Sequence, residues 1–105
     1  MPKHRVEITR TAESDLREIF HYIAADNEAA ANRLVSEIER QIDSLERYPF
    51  RCPVIPESTE LGMEYRHIIY GQYRTVFRID GSRVFILRIL HSARLLSLKL
   101  FTGYL

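Results

Sequence analysis

A single cysteine, Cys52, stands among 105 residues. That excludes an internal disulfide framework and any zinc site built from cysteines. No apolar run approaches the roughly 20 residues that a bilayer-spanning helix requires. Met-Pro-Lys-His-Arg leads directly into Val6 with no apolar stretch behind it, so no signal peptide is visible. No segment repeats and none is of low complexity. The expectation is a cytoplasmic chain with no membrane contact, no metal and no cofactor. What is present agrees with a folded chain: 46% of residues are hydrophobic and 28% charged, a globular rather than a disordered balance. The length suits one domain over residues 1–105 and one modest core.

The net charge of +1 hides an asymmetry. Residues 1–60 carry 8 Lys+Arg against 12 Asp+Glu, a balance of −4, and residues 61–105 carry 7 against 2, a balance of +5. Six of the seven cations in the second half are arginines: Arg66, Arg74, Arg78, Arg83, Arg88 and Arg94. Arginine suits bidentate contact with carboxylate or phosphate. The pattern predicts that the C-terminal half meets an anionic partner, either nucleic acid or an acidic protein.

Periodicity divides the chain in two. Arg5 to Thr9 reads as a short strand. Thr11 is a fair helix cap, with Glu13 and Asp15 in the first turn where the helix dipole favours acids. Ala12, Leu16, Ile19, Phe20 and Ile23 then recur at steps of three and four, one stripe of an amphipathic helix ending near Ala25. Asp26-Asn27 breaks it. Ala31, Leu34, Val35, Ile38, Ile42 and Leu45 mark a second helix, with Arg33 and Glu37 as an i, i+4 pair, and Pro49 stops it. Residues 49–63 hold three of the four prolines and no periodicity. From Glu64 the period falls to two: strands over Glu64 to Tyr70, Tyr73 to Ile79 and Arg83 to His91, with tight turns at Gly71-Gln72 and Asp80-Gly81. Residues 93–100 read as a short terminal helix. The order predicts an α+β fold: an N-terminal strand, an antiparallel αα-hairpin, then a three-stranded antiparallel meander. The helices should pack on one sheet face and leave the other concave and open.

Three stretches carry a resemblance. They are Ala12 to Leu16 running into Ile19 to Ala24; Leu45 to Pro49; and Tyr65-Arg66, Tyr70 to Ile79 and Val84 to Arg94. In this order and spacing the chain resembles the RelE/ParE superfamily of toxins from bacterial type II toxin–antitoxin modules, and it is most similar to the ParE-like branch. The resemblance implies the fold already reached. It also implies a cognate antitoxin as partner, with operator DNA bound only through that antitoxin. ParE-like members inhibit DNA gyrase. RelE-like members cut mRNA on the ribosome with basic side chains and no metal. A third possibility is a toxin fold with neither activity left, retained for its antitoxin complex and operator binding.

The resemblance also assigns roles by position. Arg74 falls where RelE-like nucleases contact the scissile phosphate, Arg94 where they clamp the transition state, and His91 where one branch keeps a general acid. These three would be the catalytic set of a nuclease. In a ParE-like inhibitor Arg66, Arg74, Arg78, Arg88 and Arg94 would be the partner-binding set. Two departures bear on the choice. Tyr65 and His67 stand where the nucleases carry lysines, and Leu100 stands where they carry a tyrosine, with Phe101 and Tyr104 nearby. A general base would have to be His67, Glu57 or Glu60. Cleavage through a 2′-hydroxyl needs base, acid and phosphate stabilisation together, and only the last is well supplied. The expectation is therefore a gyrase inhibitor, with Arg74 and Arg94 on the open side of the sheet.

Overall fold

Two threonines near the start of the first helix offer equivalent local caps, and tertiary structure chooses between them. Thr9, not Thr11, is the cap of α1 (Arg10–Ala24): its backbone is extended and its hydroxyl oxygen accepts from the Ala12 N–H at 3.2 Å. The same hydroxyl donates to the Ile86 carbonyl at 2.8 Å, tying the helix start to a distant strand. Asn27 caps α2 (Glu28–Ser44) by accepting from the Ala30 N–H at 3.0 Å. The link between the helices is so short that α2 must fold back along α1. On the outer face Glu37 pairs with Arg40 rather than with Arg33.

The computed structural model, which describes residues 3–92 and Arg94, places four strands in one sheet. They are β1 (Arg5–Ile8), β2 (Arg66–Tyr70), β3 (Tyr73–Asp80) and β4 (Arg83–His91), in the order β1-β4-β3-β2. The meander is antiparallel, and β1 joins β4 in parallel, Arg5 opposite Arg83 and Ile8 opposite Ile86. A parallel pair needs a long crossover, and here the helical hairpin and the first two meander strands lie between its members. The second turn falls at Gly81-Ser82, one residue later than the composition suggests, because Gly81 supplies the left-handed backbone (φ 60°) and Asp80 still pairs with Arg83.

The helical hairpin covers one sheet face. Ala12, Ile38, Ile42 and Leu45 meet Phe77, Val84, Ile86 and Ile89 in the main core, with Leu16, Ile19 and Leu34 packed at its margin. Phe20, on the same stripe, is only half-buried and lines a groove instead.

The second face is not open. Residues 49–63 fold as a 3-10 turn (Pro49–Arg51), an extended stretch bridging Val54 to Arg66, and a one-turn helix α3 (Ser58–Leu61). This strap carries Ile55, 1% exposed, into a second cluster with Val76, Leu87 and Leu90, flanked by Leu61, Tyr65 and Phe85. Sequence periodicity misses the strap because it has no repeat to find; between two prolines stand Val54, which is exposed, and Ile55, which is buried.

A bulge sharpens the division between faces. From Phe77↔Ile86 to Val76↔Arg88, β3 moves one residue and β4 moves two. The extra residue lets Leu87 join the outer cluster while Arg88 reaches α1 and Ile89 joins the main core. The terminal helix expected over 93–100 lies outside the described residues.

Candidate functional site

The arginines singled out in the C-terminal half are mostly bound within the fold. Arg88 meets Asp15 of α1 through Nε and Nη2 at 2.8 and 2.9 Å, and Asp15 also accepts from the Ile89 N–H at 2.9 Å. Asp15 is 9% exposed. A helix carboxylate thus closes both the guanidinium fork and a backbone donor at the β4 bulge. Asp15 serves the tertiary structure, not the helix dipole. Its position within the stripe, between Ala12 and Ile19, is the signal that could have shown this.

Arg66 donates to the carbonyls of Cys52 (2.6 Å) and Phe50 (3.2 Å) and pairs with Glu64 at 2.6 Å. Its guanidinium lies 5.3 Å above the Phe50 ring. It pins the strap. Arg78 lies over the Phe85 ring, at 5.3 Å, and 3.5 Å from Asp80. Arg83, outside the predicted set, reaches Glu7 of β1 at 3.8 Å.

Arg74 departs furthest from expectation. It is 4% exposed, not on an open side. Its Nη2 donates to Glu57 Oε2 (2.5 Å) and to the Arg94 carbonyl (2.6 Å), and its Nη1 lies 3.4 Å from both Glu57 Oε1 and His67 Nδ1. Glu57, on the strap just before α3, has a side chain only 9% exposed. Burial, reinforced by the Arg74 charge, holds the His67 pKa below its ordinary value, so the ring prefers to be neutral.

His91 and Arg94 belong to the other side of these strands. The register sets Tyr73 opposite His91 and Arg74 opposite Leu90, so His91 shares a face with Tyr73. The two rings meet edge to face at 5.9 Å. Tyr73, His91 and Arg94, with Glu18 and Tyr22 of α1, line a cleft of about 210 Å³ floored by the Asp15–Arg88 pair. Tyr22, an aromatic beside the α1 stripe that reads from sequence as core, is instead exposed at this cleft, and helical spacing gives no signal for Glu18. A second groove, about 360 Å³ and mostly apolar, opens between the helices and β1 and is lined by Ile8, Leu16, Phe20 and Val35. Cys52 is buried, and burial raises its thiol pKa. It is an inert core group, not a nucleophile.

Helical hairpin, four-stranded mixed-direction sheet and arginine-rich strands together define the RelE/ParE class of toxin. The sequence profile of the ParE toxin of type II toxin–antitoxin systems matches residues 6–96, and the chain belongs to that family. Two solved structures share the fold. A chromosomal ParDE toxin–antitoxin system from P. aeruginosa superposes with a TM-score of 0.66 at 22% identity, covering 87% of this chain and 98% of that one. The RelBE2 toxin–antitoxin complex from Mycobacterium tuberculosis gives 0.62 at 26% identity, covering 85% and 98%. No protein of curated function matches the sequence. Among the described residues no helix is long and apolar enough to cross a membrane.

Proposed function

We propose that this toxin acts by binding and inhibiting DNA gyrase and is silenced by a cognate antitoxin. The observation that carries the reading is the division of the nuclease set. Catalysis at a scissile phosphate needs Arg74, Arg94 and His91 around one atom. Arg74 is buried with its fork on Glu57, while His91 and Arg94 line a cleft with Tyr73 on the other face. Tyr65 and His67 bring no permanent cation to that centre. A protein ligand makes no such demand, and Arg94, exposed beside Tyr22 and His91, suits an interface anchor.

For the antitoxin, the apolar groove beside β1 supports docking of an amphipathic segment. The named relatives are themselves toxin–antitoxin systems. Co-expression with the reading frame next to this gene should yield a stable complex at low salt; two proteins that fail to associate would count against the assignment. For the target, the purified toxin should block supercoiling by gyrase and leave ribosome-bound transcripts whole. Codon-phased transcript ends after induction, with supercoiling intact, would overturn the gyrase reading.

One observation favours the second reading, a RelE-type endonuclease. The strap gathers a carboxylate (Glu57), an imidazole (His67) and a guanidinium (Arg74) in one cluster. In that case His67 or Glu57 would serve as the base, and mapping of transcript ends would report it.

A further inference from the structure

Among the described residues two arginine–carboxylate pairs are buried, and they are not built alike. Arg88 meets Asp15 symmetrically through Nε and Nη2, at 2.8 and 2.9 Å, and the carboxylate takes a backbone donor as well. Arg74 meets Glu57 lopsidedly, at 2.5 and 3.4 Å, and its Nε is buried with no hydrogen-bond partner among the described residues. A guanidinium has five donors in a rigid fork. A buried donor left unmade is a standing cost that scaffold ion pairs are normally built to avoid. Arg74 therefore holds capacity for an oxyanion that Glu57 does not fill.

The placement of Glu57 suits a removable occupant. It has ordinary helical backbone (φ −66°, ψ −14°), so nothing strains it into place. Around it the strap is tied independently: the Ile55 N–H donates to the Tyr65 carbonyl at 2.9 Å, and Ser58 Oγ accepts from the Tyr65 N–H at 2.9 Å. Rotating the Glu57 side chain outward breaks neither bond. Its neighbours Pro56, Thr59 and Glu60 are exposed, so the seal over Arg74 is thin.

We propose that Glu57 is the resident occupant of an oxyanion site on Arg74, and that an acidic side chain of a partner protein displaces it. The choice of a carboxylate rests on the reading that this toxin works through protein partners. It also follows from the occupant, since the fork is already set around a carboxylate. The exchange links partner binding to the start of the C-terminal segment, because Arg74 Nη2 also holds the Arg94 carbonyl.

The test uses the intact chain, its Glu57→Gln variant, and two probes: a capped hexaglutamate peptide and a single-stranded hexauridylate. Binding is followed by NMR at the arginine Nε–Hε signals in low salt. Glu57→Gln should bind the peptide about ten-fold or more tightly than the parent, as gain of one charge-assisted fork implies. The Arg74 signal should move, and Glu57→Gln/Arg74→Lys should lose the gain. Glu57→Asp, one methylene short of the fork, gives the same comparison if Glu57→Gln does not fold. Equal affinity of parent and variant, or a shift confined to other arginines, overturns the proposal. Preference for the hexauridylate overturns the choice of a protein carboxylate. Gyrase is absent from this experiment, so its result is separable from that of the supercoiling assay.

Discussion

At the scale of single residues, ionisable groups decide more than their number suggests. Asp15 and Arg88 are nearly buried and face each other at 2.8 Å. Removing one leaves the other charged in a poor dielectric, so Asp15→Ala should cost about 3–5 kcal/mol. Asp15→Leu/Arg88→Met should recover much of that loss, and denaturant melts of the single and double variants measure the coupling. Arg74→Ala should likewise be strongly destabilising, by about 3 kcal/mol, not neutral as its expected place on an open face implied. His67 gives a pH signature. Its folded pKa lies below the ordinary 6.5, chiefly through burial and then through Arg74. The folded state thus binds fewer protons than the unfolded one. The stability this lends is fully present above about pH 6.5 and is lost as pH falls through the folded value. Denaturation midpoints between about pH 7.5 and 5 should decline for the parent and decline less for His67→Gln.

Among elements, the hairpin and the strap divide the work. Ile38 is 1% exposed at the centre of the main core, and Ile38→Ala should cost roughly 2–5 kcal/mol through lost transfer energy and the cavity left. Phe20 has the same helical spacing but is only half-buried and lines a groove. Phe20→Ala should therefore cost clearly less than Ile38→Ala in the same melts, and it should weaken antitoxin binding if the groove is the docking place. At the entry to the strap Tyr48 holds a left-handed backbone (φ 50°), the one such non-glycine residue among those described. Its side chain is mostly exposed. Tyr48→Gly removes a Cβ clash worth about 1–2 kcal/mol and adds chain entropy to the unfolded state. A net stabilisation of about 0.5–1 kcal/mol should appear as a higher melting midpoint.

Across the whole molecule, the two charge-biased halves are complementary to each other before either meets a partner. Asp15–Arg88, Glu57–Arg74 and Glu7–Arg83 each join an acid of the first sixty residues to an arginine of the rest. The charge asymmetry is thus in good part an internal pairing code, and its excess outside these pairs is carried by exposed groups such as Arg94. Residues 1–60 alone should consequently show little cooperative folding by circular dichroism, since the acids and both helix stripes lose their cover together.

How much of this was legible depends on the range of the forces. Stripes of Leu, Ile and Ala at steps of three and four determined both helices, and alternation with two glycine turns determined the meander, because those signals lie within a few residues of each other along the chain. The fold class followed, and family resemblance agreed. Spacing gave no account of which polar groups become buried, since that depends on residues far apart in sequence meeting across the sheet. Thr9 became the cap because Ile86 offered its carbonyl; Asp15 became a core ion because the β4 bulge turned Arg88 toward it. Glu57 came to seal Arg74 because an aperiodic strap, read as irregular, had Ile55 to bury against Val76 and Leu90. Local sequence set the elements through short-range sterics and hydrophobic period. Only tertiary packing set the state of each charge, because desolvation acts on a group according to everything that surrounds it.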